Sequence, residues 1–221
     1  MNTISKLEFD TDIFGYPVGK IFLEDGGLNS FSIPDEYKLI YVFSKKELSL
    51  DLMDRKEVYS RKTEKHNEDP KVKSIRDVSY EKKSLRKLAF QSGKLSRFKL
   101  DPNFQKKEFE KLYSIWFEKS ISFSITWEVL LFFEDNELGG FVTLGEKNKE
   151  TAIIGLIAVN DLFRGRGIGR ILVEQAISFS YKKGYTDIEV STQGENLAAV
   201  NLYKKTKFIL KERTYIYHLW Q

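Results

Sequence analysis

The alternation of apolar and polar positions divides the chain into strand-like and helix-like stretches. Val18–Leu23 and Lys38–Ser44 read as short strands, and Lys56–Thr63 as a third. Within the second, Leu39-Ile40-Tyr41-Val42-Phe43 is a near-continuous apolar run, which predicts burial on both faces. Arg61–Arg76 is polar, contains Pro70 and has no apolar face, so it reads as a loop or boundary. Phe104–Ile121 then carries Phe109, Leu112, Tyr113, Trp116 and Phe117 at helical spacing, with Asp101-Pro102 as a starting signal. Val129–Phe133, the turn Glu134-Asp135-Asn136-Glu137 and Leu138–Leu144 predict an antiparallel hairpin, and Thr151–Val159 a further strand. Ile168–Lys182 predicts a helix, Asp187–Thr192 a strand, Leu197–Lys205 a helix and Phe208–Leu219 two strands. The pattern is a mixed α/β fold. Its core unit spans about residue 95 to the end, preceded by an N-terminal α/β lobe over 1–94.

Composition narrows the chemistry. At 221 residues, with 41% hydrophobic and 14% aromatic positions, the chain can bury a core without covalent staples. No apolar stretch approaches the ~18–20 residues of a membrane span, and the N-terminus lacks the apolar run of a signal peptide. The expectation is a cytoplasmic protein. The absence of cysteine removes disulfides, thiolate metal sites and a cysteine nucleophile. The two histidines, His66 and His218, read as satisfied or solvated, so no metal site and no Ser-His-Asp triad is expected. The net charge of +4 is local: Arg55–Lys87 holds twelve Lys/Arg against six Asp/Glu, and the rest sums to −2. Mixed signs favour a solvated surface over nucleic-acid binding, with attraction of an anionic ligand as an alternative.

The stretch Ile157-Ala158-Val159-Asn160-Asp161-Leu162-Phe163-Arg164-Gly165-Arg166-Gly167-Ile168-Gly169-Arg170 is the most informative. An apolar strand enters a glycine-rich turn that opens a helix. Glycines permit positive φ and close backbone approach. A helix N-terminus offers free N–H groups and a positive dipole end, which suits phosphate. Arg164, Arg166 and Arg170 add positive charge. No P-loop string exists. The dinucleotide fingerprint fails at its third glycine, which is Arg170, and five residues separate the strand from Gly165.

Arg164, Gly167 and Gly169 instead match Arg/Gln-x-x-Gly-x-Gly/Ala, and here the sequence resembles the GCN5-related N-acetyltransferases (GNAT). Asn196-Leu197-Ala198-Ala199-Val200-Asn201-Leu202-Tyr203, running to Lys207-Phe208, is similar to the family's later motif Asn-x-x-Ala-x-x-Leu-Tyr-x-x-x-Gly-Phe. Lys207 stands where that motif has glycine, so the helix cap should be strained or reshaped. The resemblance implies a GNAT fold, with a central, largely antiparallel sheet flanked by helices. It implies acetyl-CoA as co-substrate, with no metal. Pyrophosphate is expected on the turn Arg164–Arg170, and pantetheine against Ile157, Ala158, Val159 and Asn196. An N–H near Ile157 or Ala158 would face the thioester oxygen. Tyr203 would protonate the thiolate.

Leu7-Glu8-Phe9-Asp10-Thr11-Asp12-Ile13-Phe14-Gly15 and Ser96-Arg97-Phe98-Lys99-Leu100-Asp101-Pro102 resemble segments of the dTDP-fucosamine N-acetyltransferase group. That implies a small-molecule amine acceptor, a dTDP- or UDP-amino sugar used for surface polysaccharide, with Arg97 and Trp116 on the acceptor side. For Arg97 and Trp116, a capped helix start and a core aromatic are readings of at least equal weight. Another small amine, a peptide N-terminus or a non-catalytic acyl-CoA-binding role stay open, as does a homodimer.

Overall fold

A computed structural model describes residues 3–23 and 34–221. The expectation of an N-terminal lobe over 1–94 thus includes 1–2 and 24–33, which lie outside the described residues. The strands are β1 (Ser5–Lys6), β2 (Val18–Leu23), β3 (Leu39–Ser44), β4 (Leu52–Lys62), β5 (Val72–Ser74), β6 (Glu128–Glu134), β7 (Glu137–Asn148), β8 (Thr151–Val159), β9 (Asp187–Gln193) and β10 (Ile209–Trp220). The helices are α1 (Glu8–Phe14), α2 (Lys82–Ser92), α3 (Arg97–Leu100), α4 (Lys106–Ile121), α5 (Ile168–Lys183) and α6 (Leu197–Lys205). The ten strands among the described residues join one sheet, in the order β1-β2-β3-β10-β4-β9-β8-β7-β6-β5. Pairing is antiparallel except for β2–β3 and β8–β9. This is a mixed α/β fold with a large, mostly antiparallel sheet flanked by helices.

Period-two alternation decides which residues meet which helix. In β6, Leu130 and Phe132 face one way and join Leu172, Val173, Ala176 and Ile177 of α5. Val129 and Leu131 face the other way, against Leu85, Leu88 and Ala89 of α2 and Phe117 of α4. Both faces are covered, so the strand reads as a continuous apolar run. The same holds for β3, where Leu39, Ile40, Tyr41 and Val42 are fully buried. Truncating a fully buried leucine such as Leu172 to alanine should cost about 2–5 kcal/mol.

Most elements fall where the pattern places them, with instructive differences. The β6–β7 hairpin turns on Asp135 and Asn136, with φ of 49° and 66°. Helix α4 starts at Lys106, because Gln105 N–H donates to Glu108 Oε2 at 2.5 Å, while Asp101 is engaged elsewhere. The segment Phe208–Leu219 forms a single strand, β10, and not two. A register shift between Leu210 and Glu212 lets it bend. It pairs with β4 from Ile209 but with β3 only from Tyr215, so Lys211-Glu212-Arg213 face solvent and mimic a break. The polar tract Arg61–Arg76 holds a short strand, β5, and helices α1 and α2 are additional to the sequence reading. Strand β4 lies inside the sheet, between β9 and β10. No helix among the described residues is long and apolar enough to cross a membrane.

Candidate active site

The site begins as a gap in the sheet. Strands β8 and β9 pair in parallel from Thr151 with Asp187 to Ile154 with Val190, and there the pairing stops. Both strands continue, to Val159 and Gln193. Among the described residues, Gly155 to Val159 therefore lack a partner strand on that side and keep only β7 on the other. A bulge marks the split. Between the pairs Leu144–Ile154 and Val142–Ile157, β8 has two residues where β7 has one. Thr143 Oγ1 accepts a hydrogen bond from Leu156 N–H at 2.8 Å, which fixes the bulge. A Cβ on Gly155 would stand 2.7 Å from that oxygen, so glycine is required for this close approach.

At the end of β8 the chain makes a 3₁₀ turn, Asp161–Phe163, capped by Asn160, whose side chain accepts from Leu162 N–H at 3.2 Å. The glycine turn follows. Gly165 and Gly167 have φ of 80° and 82°, and a Cβ on either would meet nothing within 4 Å. Their role is conformational, and the space above them is open. The first bonds within α5 run from Arg170 and Ile171 N–H to Gly167 O, leaving the N–H groups ahead of them directed out of the helix start.

A cavity of about 620 Å³ occupies this place, walled by Ile157, Ala158, Val159, Arg164, Gly165, Gly167, Ile168, Gly169, Asn196 and Tyr203. The structure thus brings together most of the residues expected to hold a pyrophosphate and its arm. Arg166 and Arg170 stay outside its wall. Arg166 lies over the Phe163 ring, and Arg170 Nε donates to Glu174 at 2.7 Å. The opposite wall, Gln91, Ser92, Lys94 and Leu95, comes from the end of α2. Asp161 ties the walls together: Lys94 Nζ is 3.2 Å and Arg164 Nη2 2.7 Å from its carboxylate, and Gln91 donates at 3.1 Å. These partners, Lys94 foremost, hold the Asp161 carboxyl below its ordinary range.

Helix α6 supplies Tyr203. Asn196 caps the helix, its side chain accepting from Ala199 N–H at 3.2 Å. At the other end Phe208 N–H bonds Tyr203 O at 2.9 Å and Lys207 N–H bonds Lys204 O at 3.0 Å, a Schellman cap. Lys207 adopts φ of 64°, the left-handed conformation that favours glycine. The cap that glycine would serve is retained, with its strain. Tyr203 is 2% exposed and packs against Tyr59 and Phe208, with ring centroids 6.0 and 5.8 Å away. Burial pushes its phenol pKa up, so the hydroxyl stays protonated at neutral pH.

A second cavity, about 440 Å³, adjoins the first, and both are bordered by Ser92, Ile157, Asn196, Ala199 and Tyr203. Its remaining wall includes Arg97 and Trp116, which the sequence places on the acceptor side, and also Phe43, Asp54, Lys56 and Gln193. Arg97 sits over the rings of Tyr41 and Phe98 at 4.4 and 4.6 Å, with its buried Nε unpaired among the described residues. Trp116 touches Phe98 and Tyr113 edge-on. Both residues are therefore half-buried, packed against core aromatics and bordering the cavity. Sequence reasoning missed Asp54 and Lys56. Their i, i+2 spacing, which puts them on one strand face, was the available signal. Buried Asp101 accepts from His218 Nδ1 at 2.6 Å and Trp220 Nε1 at 2.9 Å, tying the last strand to the end of α3.

The model of the acetyltransferase (GNAT) family matches residues 94–208, just over half of the chain. The protein belongs to the GNAT family. Two curated relatives are similar to it in part. It is 31% identical over 121 residues to a dTDP-fucosamine acetyltransferase of Escherichia coli O6:H1 strain CFT073, covering 54% of this chain and 51% of that protein. It is 41% identical over 66 residues to N-alpha-acetyltransferase 30 of Saccharomyces cerevisiae, covering 30% and 38%. The chain thus spans about half or less of these relatives' length. A GNAT-family crystal structure from Novosphingobium aromaticivorans DSM 12444 shares the fold, with a TM-score of 0.56 at 12% identity over 83% of this chain and 74% of that one.

Proposed function

We propose that the protein transfers the acetyl group of acetyl-CoA to the amine of a nucleotide-linked amino-deoxy sugar, by direct attack and without a covalent enzyme intermediate. The observation that carries this reading is the pair of cavities meeting at Tyr203 and Ile157. The first suits a phosphorylated thioester. It combines a helix start, two glycines at positive φ, the Arg164 and Lys94 side chains and an unpaired strand edge. Ile157, Ala158 and Val159 would lie along the arm, with an N–H of that edge toward the thioester oxygen. Asn196 borders the same path. Tyr203, protonated and at the junction, would hand its proton to the departing thiolate.

The second cavity suits an anionic, partly flat acceptor. Arg97 and Lys56 supply positive charge, while Trp116, Tyr113 and Phe43 supply aromatic surface. Phe43, Asp54, Lys56 and Ser92 come from the first 94 residues, which supports an acceptor role for that region. The similarity to a dTDP-fucosamine acetyltransferase favours a dTDP-linked amine. The similarity to an N-alpha-acetyltransferase favours, as a second reading, a peptide N-terminus. Mass spectrometry after incubation with acetyl-CoA and a panel of dTDP- and UDP-amino sugars, beside short peptides, tests both. A gain of one acetyl group on a sugar nucleotide is expected. Acetylation of peptides alone would replace this reading with the second.

A further inference from the structure

An amine acceptor reaches the site as an ammonium ion and must lose a proton before it can attack. Among the described residues, those bordering the two cavities include a single carboxylate, Asp54. It is placed there by pairing. In β4, Asp54 and Lys56 share one face, and Arg55 and Glu57 the other, where Glu57 accepts from Arg213 at 2.7 Å. Lys56 pairs with Gln193 of β9 and Asp54 with Ile216 of β10, and all four residues border the second cavity. Oδ1 of Asp54 is buried and has no hydrogen-bond partner among the described residues, which leaves an acceptor atom of the carboxylate uncommitted.

We propose that Asp54 is the general base: it takes a proton from the acceptor's ammonium group and frees the lone pair that attacks the thioester carbon. This rests on the amine-acetylation reading above. As the N–C bond forms, the C–S bond breaks and the thiolate takes the Tyr203 proton. The nitrogen sheds a second proton, which restores Tyr203 through solvent, and Asp54 releases its own to water. One ammonium ion and one thioester become one amide, one thiol and one proton. Burial raises the Asp54 pKa to about 6; Arg97 and Lys56 oppose the rise, and Glu195 adds to it. Tyr113, on α4, feels the same carboxylate. A base near neutrality is ionised at working pH yet accepts a proton readily.

Two measurements test this. The first needs no acceptor. Carbon-13 NMR of aspartate carboxyls, titrated with acetyl-CoA present, should show one resonance moving near pH 6 that is absent in Asp54→Asn. An Asp54 resonance that titrates in the ordinary aspartate range, about 4, would overturn the proposal. The second follows thiol release with dTDP-4-amino-4,6-dideoxygalactose as the amine. Asp54→Asn should lower kcat by roughly 10²–10⁴. Its acetyl-CoA affinity should be unchanged, which also reports folding. Its kcat/KM should rise about tenfold per pH unit toward the amine pKa, because solvent then does the work of the base. Asp54→Glu should keep the wild-type acid limb at a lower rate. Asp54→Asn activity close to wild type, or a deficit constant with pH, would refute a base role. If the wild-type protein ignores this sugar nucleotide, that acceptor is wrong and the kcat comparison moves to whichever amine of the panel is acetylated, while the titration can still overturn the base role.

Discussion

Replacing Lys207 with glycine should stabilise the protein and leave its chemistry alone. Lys207 holds φ of 64° at the end of α6, and its exposed side chain contributes only a weak attraction to Glu64. The left-handed conformation costs an L-residue roughly 1–2 kcal/mol. A glycine relieves that but adds roughly 0.5–1 kcal/mol of unfolded-chain entropy. The net gain is about 0.5–1 kcal/mol, because both Schellman bonds are made by backbone groups that glycine retains. For a chain of this size each kcal/mol is worth about 2–4 °C in Tm, so a rise of about 1–4 °C is expected. Thermal unfolding followed by circular dichroism reads it, with Lys207→Ala as control, since alanine keeps the conflict at positive φ. One of the bonds ends on the carbonyl of Tyr203, yet kcat should not change, because the cap geometry is already formed. A Lys207→Gly protein no more stable than Lys207→Ala would refute the reasoning.

Tyr203→Phe should keep acetyl-CoA affinity and lower kcat by roughly 10²–10⁴; thermal stability and turnover on one preparation separate this from a packing role, which would move stability instead. Gly167→Val should weaken acetyl-CoA binding strongly in calorimetry, because φ of 82° excludes a β-branched residue and the turn must rearrange; unchanged affinity in a folded variant would count against the cradle. Asp54→Asn should be more stable than wild type by up to about 3 kcal/mol at pH 8. The Asp54 pKa is about 6 when folded and 3.8 when unfolded, so ionising it opposes folding above pH 6. That penalty fades as pH falls from 6 to 3.8, so denaturant titrations should show the gap closing by pH 4.

The cavity at the glycine turn was legible because its parts are contiguous. Gly165, Gly167 and Tyr203 sit at fixed offsets in a strand–turn–helix and a helix–cap unit, and local backbone conformation places them. The adjoining cavity was not. Asp54 reaches its cavity only because β9 and β10, more than a hundred residues later, bracket β4. No local pattern encodes that pairing. Helix α2 was overlooked because lysines and arginines crowd its exposed side, although Leu85, Leu88 and Ala89 carry the expected spacing. Conversely, Asp101 looked like a helix start. Its carboxylate is instead spent on His218 and Trp220, far away in sequence.

The position of β4 has a consequence for synthesis of the chain. Both of its neighbours are made late: β4 ends at Lys62, and β9 begins at Asp187. At 5–20 residues per second, about 125 intervening residues take the ribosome roughly 6–25 s. During that time β4 must wait with both hydrogen-bonding edges bare, the condition in which strands recruit one another between chains. Its composition answers the hazard. Of eleven residues, Asp54, Arg55, Lys56, Glu57, Arg61 and Lys62 are charged, an unusual density for the interior of a sheet. The same charges that later line a cavity and pair across strands keep the nascent segment hydrated until its partners emerge.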